Sequence, residues 1–183
     1  NGSAATGLYA AGYRGFLPAS AVARRRTALD LMKLSIVICA YNERATILPV
    51  LARVQQAPLH PGWDREVIVV DNASTDGTQD LLRTVEYPDT RVVFQPRNLG
   101  KGTSIRTAIP LCTGDYMFIQ DADFEYDPND YPRFLERAEQ DAPAAIFGSR
   151  TLGGRAIYEY AATYWGVRFL TWLTNLLYGG HLT

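Results

Sequence analysis

Four carboxylates crowd into ten residues of this chain. The stretch FIQDADFEYD, residues 118–127, sets Asp121, Asp123, Glu125 and Asp127 at alternate positions behind an apolar run. Like charges so close repel, and desolvation disfavours their ionised forms; the cluster calls for a cation. Side chains alternate in an extended segment, which predicts Asp121, Asp123 and Glu125 on one face. Oxygen ligands of this kind suit Mg2+ or Mn2+, with water and substrate phosphates completing the shell. A D-x-D triplet alone is weak evidence, because most are solvated turns. Its position behind a buried strand, with a third carboxylate two residues on, favours the metal. Asp127 precedes Pro128 and is expected to help start a helix instead.

Two further groups could serve the same ligand. In RNLGKGTS (97–104), glycines let backbone N–H groups approach a phosphate, and the helix behind adds the favourable end of its dipole. Lys101 supplies a formal charge. Alone, Asn98, Lys101 and Gly102 read equally as a helix cap; beside a carboxylate-bound divalent ion they become diphosphate contacts. Walker spacing is missing and no G-x-G-x-x-G follows the first strand, which disfavours an ATPase or a dinucleotide-dependent dehydrogenase. Asp71 heads DNASTDGT. A turn and helix cap account for Asp76 and Gly77, but less well for Asp71 and Asn72, which stand where a base or ribose hydroxyl could be read. Tyr41 and Glu43 offer an aromatic face and an acceptor beside them.

The elements that must position these groups alternate. LSIVICA (34–40) and EVIVVD (66–71) are continuous β-branched runs suited to strands buried on both faces. RVVFQP (91–96), DYMFIQD (115–121) and AAIFGS (144–149) read as three more strands. One helix is expected over 43–56, with Pro49 in an early turn or at a bend. A second opens on Asp76 and Gln79 as a capping pair and runs to about Val85. A third runs from Gly100 to Leu111, with Gly114 near its C-cap, and a fourth from Pro128 to Gln140. This alternation predicts an α/β sandwich around a mainly parallel sheet, and such sheets bind ligands beyond the carboxyl ends of their strands. Every group singled out above falls at one of those ends, and Ser149-Arg150 adds a fifth.

The chain has 183 residues, 47% hydrophobic and 20% charged, enough for one domain with a real core. A net charge of −1 gives no broad basic face, which argues against general nucleic-acid binding. Cys39 in a strand and Cys112 near a helix end suggest neither a disulfide scaffold nor a metal cluster, and fit a reducing compartment. Residues 1–31 are rich in Ala, Gly and Arg, hold no clear strand, and are expected to form an extension outside the catalytic fold; a native helical arm is the alternative. The catalytic domain is then 32–157. Residues 158–183 form a last segment in which YWGVRFLTWLTNLLYGG (164–180) is helix-like and apolar on nearly every side. Such a helix is packed in a core or dimer contact, or lies at a membrane interface.

In the order of its motifs the chain resembles the family 2 glycosyltransferases of the GT-A fold, over residues 33 to about 178. The motifs are A-Y-N-E at 40–43, D-x-x-S-x-D-G-T at 71–78, N-x-G-K-G at 98–102, D-A-D at 121–123 and G-S-R at 148–150. Within the family it is most similar to the polyprenyl- and dolichol-phosphate sugar transferases. The resemblance implies a GT-A three-layer α/β/α sandwich and a GDP- or UDP-sugar donor whose nucleoside meets Ala40, Tyr41, Glu43 and Asp71. Asn72, Asn98, Lys101, Gly102, Asp121 and Ala122 complete the nucleotide site, and Asp121, Asp123 and Glu125 hold the metal and diphosphate. Three departures stand out. Cys39-Ala40 precedes Tyr41 where the family often has a proline, Asn72 replaces a common second aspartate, and Glu125 stands where glutamine is frequent.

The resemblance also implies an inverting transfer onto a polyprenyl (dolichol-like) phosphate, by a protein held peripherally at the cytoplasmic, inner face of a membrane. A lipid phosphate is already ionised near neutral pH and needs no general base. Asp123 and Arg150 are then the catalytic residues, Arg150 as the cation holding the attacking phosphate and Arg155 as second candidate; a surface salt bridge is the alternative for both arginines. Two other functions stay open: transfer to a glycan hydroxyl, which needs a catalytic carboxylate from a later segment, or a nucleotide-binding or assembly module without turnover.

Overall fold

The structure, a computed structural model, describes residues 7–11, 31–149 and 161–179. Its strands are β1 (Gly7–Ala11), β2 (Met32–Ala40), β3 (Trp63–Asp71), β4 (Thr90–Phe94), β5 (Tyr116–Asp121) and β6 (Ala145–Ser149). Its helices are α1 (Ile47–Gln56), α2 (Thr78–Leu82), α3 (Lys101–Ala108), α4 (Tyr131–Asp141) and α5 (Ala161–Tyr178), with 3-10 turns at Ile109–Leu111 and Pro128–Asp130. Among the described residues, 31–136 belong to one compact unit, and 7–11, 137–149 and 161–179 to a second.

The first unit is built on a parallel sheet of order β4-β3-β2-β5. The uninterrupted apolar runs of β2 and β3 occupy its centre, where Ile36, Val37, Ile38, Val67, Val69 and Val70 have no exposed surface. Alternation along the strands divides these residues between two faces. Val37, Ile68 and Val70 pack on one face with Ala108 of α3. On the other face, Phe118 of β5 meets the rings of Tyr131 and Phe134 from α4, at 5.0 and 5.3 Å. Arg65 on that same face donates to the carbonyls of Val54 and Ala57 at the end of α1. Helices therefore cover both faces, the α/β sandwich expected from the sequence. Pro49 falls in the first turn of α1, and the buried stripe of that helix is Ile47, Val50, Leu51 and Val54.

The second unit departs from expectation. AAIFGS does form a strand, but β6 pairs antiparallel with β1, from Gly7↔Ser149 to Ala11↔Ala145, and not with the parallel sheet. A strand inside a parallel sheet needs both faces covered, whereas Phe147 of β6 is 58% exposed. Residues 1–31, read as holding no strand, thus contribute one at Gly7–Ala11. Four strand ends belong to the parallel sheet, not five. Helix α5 carries an exposed apolar surface that includes Trp165, Phe169, Leu170, Trp172, Leu176 and Leu177.

Two local expectations are also corrected. Gly77, at φ 99°, precedes α2; Asp76 accepts from both the N–H and the hydroxyl of Thr78, while Gln79 turns away to Asp71, so no reciprocal capping pair forms. Gly114 is not a helix cap. It lies against β2, where an added Cβ would sit 2.6 Å from Ser35 Oγ and 2.7 Å from the Lys33 carbonyl oxygen.

That contact is part of a knot at the amino ends of the strands. Glu66 accepts from Ser35 Oγ at 2.5 Å, from the N–H of Thr113 at 2.5 Å and from its hydroxyl at 2.9 Å, and pairs with Lys33 at 3.2 Å. Burial pushes the Glu66 pKa up, but the hydrogen bonds from Ser35, Thr113 and Lys33 outweigh it and hold the carboxyl at about 2, against 4.5 for a free glutamate. A pKa depressed by folding gives stability that is complete above the unfolded value and lost as pH falls towards the folded one. The urea midpoint should therefore fall between pH 4.5 and about 2, and fall less in Glu66→Gln. Gly114→Ala, which forces a methyl into β2 backbone, should cost about 2–3 kcal/mol in the same titration; an unchanged midpoint would contradict the packing.

Candidate functional site

Parallel register sets the four strand ends side by side. Ala40 pairs with Asp71, Asp71 with Phe94, and Cys39 with Asp121. In sequence order the strands run 3-2-1-4 across the sheet, so their direction of progress reverses between β2 and β5. Connections leaving such a pair diverge to opposite sides and open a crevice at the carboxyl ends. An open cleft of about 380 Å³ lies there.

Most of the residues singled out from the sequence line it. Ala40, Tyr41 and Glu43 come from the end of β2, Asn72 from β3, Asn98 and Lys101 from the entry to α3, and Asp121, Ala122 and Asp123 from β5. Asp71, Gly102 and Glu125 are not on its wall. Asp71 is fully buried: one carboxylate oxygen accepts from the Ser74 N–H at 3.1 Å and from Gln79 Nε2 at 2.7 Å, while Oδ1 has no donor among the described residues. Arg150 and Arg155 lie outside the described residues. Gly100 and Ser104, within the RNLGKGTS stretch but not named singly for the site, also line the cleft, as does Cys39, which sequence reasoning missed. Cys39 could have been found from strand parity, since it stands one residue before Ala40 in register with Asp121.

The loops on the rim are fastened by side-chain amides and hydroxyls. The N–H of Asn42 donates to Ser74 Oγ and its Oδ1 accepts from the Thr75 N–H, at 2.9 and 2.8 Å. Asn72 Nδ2 donates to Asn98 Oδ1 at 2.9 Å, and Asn72 Oδ1 accepts from the Leu99 N–H at 2.8 Å. Ser104 donates to Gln95 Oε1 at 3.2 Å, which ties the first turn of α3 to the end of β4. Between these ties Ala73 is held at φ 60°, a left-handed conformation that a residue with a Cβ adopts only under constraint.

The acidic stretch is bent after Asp121 rather than extended. Lys101 Nζ is ion-paired with Asp121, which raises the lysine pKa through the Asp121 hydrogen bond. Asp123 accepts from the N–H of Glu125 at 3.0 Å. Asp127 accepts from the N–H of Asn129 at 3.1 Å as the cap of the 3-10 turn, and from Arg53 of α1 at 3.3 Å. Buried Gln120 underpins the bend, receiving the Tyr131 hydroxyl at 2.9 Å and donating to the Asp121 carbonyl at 3.2 Å. Among the described residues no three carboxylate, histidine or cysteine side chains converge as a metal-binding group, so Asp121, Asp123 and Glu125 do not gather as expected. The bend separates what an extended chain would align. Asp121 and Asp123 on the cleft wall still suit Mg2+ or Mn2+, which take one or two carboxylates and leave other positions to water and phosphate oxygens.

The family model described as glycosyl transferase family 2 matches residues 35–179. The chain belongs to that family. Undecaprenyl-phosphate 4-deoxy-4-formamido-L-arabinose transferase of Aeromonas hydrophila subsp. hydrophila is 34% identical over 114 residues, which cover 61% of this chain and 35% of the relative. The protein of that name from Pseudomonas aeruginosa is 34% identical over 115 residues, covering 61% and 33%. This chain therefore spans about a third of the length of these curated relatives. The crystal structure of S. aureus TarS 1–349 in complex with UDP matches with a TM-score of 0.53 at 22% identity, over 61% of this chain and 33% of that one. Its likeness shows the fold, a GT-A α/β sandwich.

Cys39 offers a probe of the cleft of this family 2 chain. Burial is the largest influence on its thiol and, with Asp121, outweighs the opposing pull of Lys101, so that its pKa rises to about 11. The thiolate is the reactive form. In a Cys112→Ser variant, alkylation by iodoacetamide at neutral pH should be far slower than in the urea-unfolded chain, and should accelerate as pH approaches about 11. Equal rates in the two states would place the thiol in open solvent.

Proposed function

We propose that this chain carries the donor site of a glycosyltransferase that moves a sugar from a GDP- or UDP-sugar to a polyprenyl phosphate, with inversion and with help from a divalent metal. The observation that carries this reading is the cleft at the strand reversal, whose wall includes Ala40, Tyr41 and Glu43 of A-Y-N-E, Asn98, Gly100 and Lys101 of N-x-G-K-G, and all three residues of D-A-D. The names of the relatives, both undecaprenyl-phosphate transferases, support the acceptor.

In this reading Ala40, Tyr41 and Glu43 take the nucleoside. Asp71, expected at the nucleoside, is fully buried off the cleft wall and holds the Ser74 N–H and Gln79 instead. Asn98, Lys101 and Ala122 face the diphosphate, and Gly102 stands off the wall. Asp121 and Asp123 are the residues that would hold Mg2+ or Mn2+, with Glu125 joining only if the bend opens. An ion held there would supply stabilisation of negative charge on the departing diphosphate. An oxygen of the lipid phosphate attacks the anomeric carbon, the bond from that carbon to the nucleoside diphosphate breaks, and the nucleoside diphosphate leaves with the bonding pair. No proton has to be removed, so the chain's task is to position the two substrates. Arg150 is the proposed cation for the attacking phosphate, and Asp123 is a proposed ligand that would hold the ion.

The exposed Trp, Phe and Leu side chains of α5 support work at a membrane surface, because such a helix face is favoured at an interface. Among the described residues no helix is long and apolar enough to cross a bilayer. The contact proposed from the exposed face of α5 is peripheral, at the inner, cytoplasmic face of a membrane.

Calorimetry with UDP and GDP, with and without Mn2+, tests the donor site. One of the two should bind, more tightly with metal, and Asp123→Ala should lose the metal-dependent part, roughly tenfold or more. A folded protein that binds neither nucleotide contradicts the reading. Turnover with polyprenyl phosphate but not with glycan acceptors is the expected outcome for the full-length protein.

A further inference from the structure

The side chain of Asn72 lies at the cleft, 5% exposed, where the sequence suggests a base-reading group. Its polar atoms are already engaged within the chain. Oδ1 accepts from the Leu99 N–H at 2.8 Å and Nδ2 donates to Asn98 Oδ1 at 2.9 Å. The orientation of both amides follows from backbone groups that can only donate. The Leu99 N–H requires an oxygen on Asn72, and the Gly100 N–H, 3.0 Å from Asn98, requires an oxygen there too. Asn72 must therefore present its NH2 to Asn98. Its own N–H is held by the Ala40 carbonyl at 2.8 Å, so the side chain is fixed to the end of β2 as well as to β3.

We propose that Asn72 is a positioning residue for the phosphate-side loop, not a reader of the base. It sets the loop Asn98–Gly100 at the entry to α3 and thereby the place of Lys101. The proposal rests on the donor-site reading for its functional consequence and on hydrogen bonding alone for its structural part. A carboxylate at position 72 would keep the Leu99 contact but set a charged oxygen against Asn98 Oδ1. Turning the Asn98 amide to meet it would leave the Gly100 N–H facing an NH2 group. A neutral amide satisfies all three groups at once.

Amide hydrogen exchange, read by NMR as protection at Leu99 and Gly100, tests this in wild type, Asn72→Ala and Asn72→Asp. Protection at Val69, inside β3, reports whether each variant is folded. Losing these neutral hydrogen bonds should reduce protection at Leu99 and Gly100 roughly tenfold in Asn72→Ala, with Val69 unchanged. In Asn72→Asp the loss should shrink as pH falls and the introduced carboxyl regains an O–H to donate. In parallel, calorimetry with UDP and GDP in Mn2+ should show weaker nucleotide binding by Asn72→Asp, with the same recovery at lower pH. Unchanged loop protection in Asn72→Ala overturns the proposal, as does weakened nucleotide binding with loop protection intact, which would make Asn72 a direct contact. If wild type binds neither nucleotide, the donor reading fails, and the exchange measurement still decides the role of Asn72.

Discussion

The parallel pairing of β2 with β3 on one side and β5 on the other is the constraint from which the rest follows. With Ala40 opposite Asp71 and Cys39 opposite Asp121, the loops that follow the strands all leave on one rim, and the order of strands opens a crevice between β2 and β5. The second halves of the central strands are apolar because both faces are covered, so towards this rim polar residues gather where the strands end. Those residues are partly buried and must find partners. They find them in one another: Asn42 with Ser74 and Thr75, Asn72 with Asn98 and Leu99, Lys101 with Asp121. The rim is thus a hydrogen-bonded frame, and the strained φ of Ala73 is held within it.

The crowded acidic stretch resolves into separate environments. Asp121 is balanced by Lys101, Asp123 closes a turn on Glu125, and Asp127 caps the next turn while pairing with Arg53. Arg53 also lies 5.6 Å from the centre of the Phe124 ring, so α1 braces the same segment twice. Repulsion is relieved by separating the carboxylates and by two cations from other parts of the chain. What remains on the cleft wall is a pair, Asp121 and Asp123, suited to a divalent ion that shares its coordination with phosphate.

Much of this was legible in the sequence where the signal is local. Uninterrupted runs such as LSIVICA and EVIVVD announce strands covered on both faces, and the polar residues at their ends announce the rim. What was not legible depends on partners far along the chain. AAIFGS looks like a fifth parallel strand until GLYAA, about 135 residues earlier, supplies an antiparallel neighbour. Gly114 looks like a helix cap because its contact with Ser35 spans 79 residues. Gln79 has the right spacing to cap α2, but buried Asp71 competes for it and wins. The same holds for Asn72, whose type suggests ligand reading until the loop it binds is seen.

The account depends most on the claim that the crevice at the strand ends receives a nucleoside diphosphate. Backbone amide shifts in 15N-labelled protein, titrated with UDP and GDP in Mg2+, test this directly. The account predicts that the binding nucleotide shifts amides at 40–43, 71–76, 97–104 and 120–126 and leaves the opposite rim around Glu66 and Thr113 unmoved. Shifts centred on that opposite rim, or confined to β6 and α5, would contradict it.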